Sequence, residues 1–162
     1  MKSLLLATML LLPLNGYAQV KQESWQSVLL MNDKFENYKN DFRQFSQASP
    51  NSRPDAQADM AFMVVADQTV SHVRCVETLV AIYLKVSTKQ DRLAIWPLIT
   101  DRVTEITKEL DHQLEMTNAS LATIQNPDVI TEAMRMRDDL RQLTTDLDGA
   151  MREIEAQEAT LQ

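Results

Sequence analysis

Apolar residues recur along this chain in steps of three and four, in four separate runs. The first run passes through Trp25, Val28, Met31, Phe35, Tyr38, Phe42 and Phe45. Steps of this kind keep side chains on one side of an α-helix, whereas a strand needs every second residue. The pattern predicts a helix over about 20–48. "SPNSRPD", residues 49–55, carries two prolines and small polar residues, which favour a loop. Ser52, Pro54 and Asp55 then supply start signals for a second helix over about 54–86. Its central stripe is Phe62, Val65, Thr69, Val73, Val76, Val80 and Tyr83.

After "VSTKQD", where Thr88 and Asp91 stand at capping-box spacing, a third helix is predicted over about 89–125. It carries Trp96, Ile99, Val103, Ile106, Leu110, Leu114, Leu121 and Ile124, with a kink expected near Pro97, which lacks a backbone donor. In "QNPDV", Asn126 can cap and Pro127 suits the first helical position. The last helix, about 127–160, runs through Val129, Ala133, Met136, Leu140, Leu143, Leu147, Ala150 and Ile154. No segment alternates convincingly with period two, so strands are not expected. Short loops make consecutive helices antiparallel neighbours, which gives the expected fold: all-α, an antiparallel up-down-up-down four-helix bundle with long helices.

The start of the chain changes the picture of where this bundle works. "MKSLLLATMLLLPLNGYA" has one basic residue, Lys2, an apolar run from Leu4 to Leu14, and small residues near Ala18. It reads as a secretory signal peptide, residues 1–18, cleaved to leave a single helical domain over 19–162. The run is too short to span a bilayer, and no cysteine follows the cut to take a lipid. The expected location is therefore periplasmic or secreted, without membrane insertion. Losing Lys2 takes the net charge from −7 to −8. An acidic balance argues against nucleic acid and against anionic membrane surfaces.

Glycine usage excludes more than any motif present supports. Beyond residue 18 only Gly149 remains, so phosphate loops, dinucleotide fingerprints and nucleophile elbows cannot be written here. Cys75 is the only cysteine, so no internal disulfide exists. It follows His72 by three residues in "SHVRCVETLV". On a helical wheel centred on Thr69, His72 falls about 60° and Cys75 about 120° to the same side. The pair is half a metal site. The other histidine, His112 in "KELDHQLE", is expected about 12 Å further along, if a hairpin near Thr88 sets His72 level with about residue 104. "ELDH" matches one Glu-x-x-His step of a di-iron bundle, but a second step and further glutamates are missing, so it reads as a solvated charge run. A c-type haem lacks its Cys-x-x-Cys-His. Asp138 and Asp139, among Arg135, Arg137 and Arg141, read as a surface ion-pair lattice.

With no metal, cofactor or catalytic residue indicated, the sequence points to a non-enzymatic protein acting through protein–protein contact, as an envelope adaptor, chaperone or inhibitor. The alternative is a small-molecule or b-type haem carrier using the bundle interior. Two features of the second helix mark a contact surface. Met60 and Met63 belong to "DMAFMVVAD", which is apolar on nearly every side, and methionine surfaces adapt to varied shapes. Val64, Cys75 and Ile82 share a second, narrower apolar stripe, which most simply packs a homodimer, although a neighbouring helix of the same bundle would serve equally.

Overall fold

The computed structural model of the chain describes residues 22–48, 53–86 and 88–160. The expected signal peptide, 1–18, and the start signal at Ser52 lie outside the described residues. Four helices account for nearly all the rest: α1 (Gln22–Ala48), α2 (Arg53–Lys85), α3 (Lys89–Leu121) and α4 (Pro127–Thr160). There is no strand among the described residues. None of these helices is long and apolar enough to cross a membrane.

Local chemistry accounts for the helix ends. At the start of α3, Thr88 takes an extended backbone and its Oγ1 accepts the Asp91 N–H at 3.1 Å. The same hydroxyl donates to Asp91 Oδ2 at 2.5 Å, so the cap satisfies an orphan amide and fixes the acidic first turn. At the start of α4, Asn126 Oδ1 accepts the Asp128 N–H at 3.0 Å, and Pro127 occupies the first position. The end of α3 departs from expectation, stopping at Leu121 rather than near 125. There the Thr123 N–H and Thr123 hydroxyl both donate to Ser120 O, at 3.0 and 2.8 Å. This tight turn closes the helix, and Ile124 beyond it still buries its side chain.

Helix α1 packs against α2 and α4, and α3 packs against the same two, so the four surround one core. Cross-helix pairs fix their levels. Lys34 and Tyr38 of α1 both reach Asp139 of α4, at 2.8 and 2.7 Å, and Ser27 reaches Asp146. Lys39 and Glu36 of α1 meet Asp67 and Arg74 of α2, at 3.1 and 3.0 Å. The buried positions of α4, from Val129 to Ile154, alternate steps of four and three, which average the 3.5-residue repeat of coiled-coil packing. Aromatic rings fill the layer between α1 and α2, where Phe42 and Phe62 lie 4.8 Å apart.

Every central-stripe residue expected on α2 and α4 is buried. On α1 only Trp25 and Phe45 are half-buried, and both pack on the core. Helix α3 differs. Gln113 and Thr117 are buried, whereas Leu114 and Leu121 sit at the flank. Continuing the four-three alternation from Ile106 and Leu110 arrives at 113 and 117. The apolar residues one position later drew the expected stripe off that line.

Candidate interaction surface

The residues expected to form a contact surface divide into two groups. Met60, Val64 and Ile82 stand outward from α2, at 63, 50 and 48% exposure. Met63 and Cys75 are half-buried and pack against the core. Cys75 lies on the same side of α2 as Val64 and Ile82 but is set back from solvent. The narrow stripe therefore resolves into two exposed apolar points, Val64 with Met60 one turn away and Ile82 about 27 Å further along α2, with the half-buried thiol between them. Ile82 borders a shallow open depression formed by Arg74, Glu77, Thr78, Ala81 and Lys85.

Between α2 and α3 the core turns polar, which apolar periodicity does not register. All four buried polar side chains of the described residues, Asp59, Thr69, Gln113 and Thr117, come from these two helices. Thr69 Oγ1 lies 2.8 Å from both Val65 O and Gln113 Oε1, and Gln113 Nε2 lies 3.3 Å from Gln68 Oε1. A hydroxyl carries one proton. Thr69 therefore donates to either Val65 O or Gln113 Oε1 at one time, while the Gln113 amide nitrogen donates to Gln68. Thr117 donates to Gln113 O at 2.8 Å, closing the layer.

The same seam carries the histidine. His72 Nε2 lies 3.0 Å from Glu109 Oε2, so His72 is level with residue 109 rather than about 104. Tyr83 stacks near Trp96 at 5.3 Å, which places the end of α2 beside the second turn of α3 rather than its first. The first turn of α3 thus projects past α2, and a hairpin folded tightly at Thr88 does not describe it. Glu109 is correspondingly not part of a free charge run. His112 remains separate, pointing to solvent beside Glu115 at 3.8 Å. Among the described residues no group of three or more His, Cys, Asp or Glu side chains is arranged to hold a metal ion.

Burial lowers the His72 pKa below 6.5; Glu109 opposes that effect and Arg102 reinforces it. A histidine whose folded value lies below its unfolded one sheds its proton more readily in the fold. Its contribution to stability is full above pH 6.5 and declines as pH falls below it. His72→Gln is therefore expected to flatten the acid-side loss of stability between about pH 7 and 5. Urea titrations of both proteins across that range check this, and parallel slopes would refute it. Burial, and then the bond to Asp139, raises the Tyr38 pKa far above its ordinary value, so this phenol stays neutral.

The chain was compared with protein-family models, with curated proteins and with solved structures, and none of them matches.

Proposed function

We propose that this protein is exported after removal of residues 1–18 and acts without catalysis, by presenting the outer side of α2 to another protein. The single observation behind this reading is the exposure of Met60, Val64 and Ile82 on one side of a helix whose opposite side is already packed against the core. Large aliphatic groups on a helix with a complete core behind them add nothing to folding. They gain only when a partner removes them from water, at roughly 25 cal/mol per Å². A second copy of the chain is the simplest partner, with these sides of the two copies meeting across a two-fold axis. The carrier alternative is disfavoured because Phe35, Phe42, Phe62, Met136 and Leu140 fill the space between the helices.

The finer course of the fold belongs to the same reading. An up-down-up-down path is supported by the paired levels, since rising numbers on α1 meet falling numbers on α4 and on α2. A kink at Pro97 is supported by the proline's position inside α3 and by Thr100 Oγ1, which contacts Trp96 O and Pro97 O at 3.2 and 2.9 Å.

Two charge substitutions test the contact surface. Val64→Lys and Ile82→Lys are expected to lower the molar mass in light scattering to that of one chain, with helicity and thermal midpoint nearly unchanged, because both sites are half-exposed. A protein that is already a monomer, or that unfolds on either substitution, would remove the dimer reading.

A further inference from the structure

Near the start of α2 a carboxyl is buried with one of its oxygens lacking a hydrogen-bond partner among the described residues. Asp59 is 1% exposed, and its Oδ1 has no hydrogen-bond donor among the described residues. Asp55, one turn earlier on the same side of α2, has a different role. Its Oδ1 accepts the Gln125 N–H at 3.0 Å, clasping the α3–α4 loop to α2. Two carboxyls thus stand one behind the other, an outer one holding the loop and an inner one shut in behind it.

The surrounding elements offer Asp59 little compensating charge. On α1, the stretch beyond the Phe42–Phe62 contact reads "QFSQA" through Ala48 and is uncharged, with Arg43 exposed just before it. On α3 and its loop, nothing charged follows Glu115 before Asp128. Helix α4 contributes Asp128 and Glu132, and α2 itself contributes Asp55, with Arg53 as its first residue. Asp55 is the charged group that acts on Asp59.

We propose that Asp59 is a proton-controlled latch. With Asp59 neutral, the end of the bundle closes behind the Asp55–Gln125 clasp. When Asp59 ionises, that end loosens and the α3–α4 loop is released. The physical reason lies in the placement. An ionised carboxyl shut away from water is costly unless it is paired. Relief comes most directly by admitting water past the loop, whose Gln125 amide is held by a carboxylate that the new charge repels. Release would uncover Ile124 and the Phe42–Phe62 layer beside exposed Met60 and Val64, enlarging the apolar surface at that end of α2.

Burial first, and Asp55 second, raise the Asp59 pKa from 3.8 to about 6. The sign follows: the fold holds the proton more tightly than the unfolded chain does. Stability from this group is full below pH 3.8 and is lost as pH rises through about 6. This is opposite in sense to His72, which lies thirteen residues along α2, about 20 Å away.

Amide hydrogen exchange across about pH 4.5–8, corrected for intrinsic rates, tests the latch in the mature chain. The opening constant of Gln125 and its loop neighbours is expected to rise by roughly 30-fold over that range, and to stay flat and low in Asp59→Asn. A constant opening in the wild type, an equal rise in the variant, or a rise spread evenly over all four helices would each overturn the proposal. If Asp59→Asn does not fold, carbon NMR titration of the wild-type carboxyl decides. A midpoint near 6 that moves together with the loop amides supports the latch, and an ordinary midpoint near 3.8 refutes it.

Discussion

Replacing Phe62 by alanine is expected to lower the unfolding free energy by about 3–5 kcal/mol, a large part of what a domain of this size possesses. Phe62 is fully buried on α2, and its ring meets that of Phe42 on α1 at 4.8 Å, with the tilted ring of Phe45 6.2 Å from Phe42. Truncation removes a large apolar side chain and leaves a void that rigid helices close only in part. It also ends an aromatic contact worth about 0.5–1.5 kcal/mol beyond burial. Phe62→Leu, which retains most of the volume, is expected to cost about half as much or less. Urea unfolding followed by circular dichroism measures both. A loss below about 1 kcal/mol for the alanine variant would mean that α1 and α2 do not pack as described.

The second large effect lies in the polar seam, and its informative feature is an ordering. Gln113→Ala is expected to cost about 2–3 kcal/mol, from lost packing and from hydrogen bonds to Thr69 and Gln68 left unmade. Gln113→Leu is expected to be neutral or slightly stabilising, because it refills the space while Thr69 keeps its bond to Val65 O at 2.8 Å. If leucine cost as much as alanine, the amide would be an essential stabilising element. The ordering expected here makes the layer instead a device of register. A polar group in a core matches only one alignment of the two helices, at some cost in stability. Thr69 opposite Gln113 and His72 opposite Glu109 mark that alignment.

This seam also shows what the sequence could and could not disclose. The stripe of α4 and nearly all of that of α1 follow from apolar spacing alone, because burial there is carried by apolar residues, and that of α2 follows with Thr69 as its one polar member. The caps at Thr88 and Asn126 were equally legible, since the chemistry of an orphan amide lies in the few residues beside it. Gln113 and Thr117 were not, because a search for apolar periodicity steps over a buried glutamine. Holding strictly to the 3.5-residue repeat would have found them. The level of His72 does not follow from the sequence, because register depends on how far α3 projects past the turn, which spacing within each helix does not encode. The burial of Asp59 does not follow from the apolar pattern, because a carboxylate one turn before Phe62 reads as an exposed position. Of the proposed contact residues, exposure at Met60, Val64 and Ile82 follows from their place opposite the core stripe. The half-buried position of Cys75 follows from its place at the edge of the core stripe.

The central claim, a protein that works through its outer surface rather than through a bound small molecule, is tested most directly by native mass spectrometry of the mature chain purified without a tag. The account gives a polypeptide beginning near Gln19, present as two copies, with no added mass and no visible absorption. A chain still carrying Met1–Ala18, or a stoichiometric small molecule or chromophore held within the bundle, would contradict it.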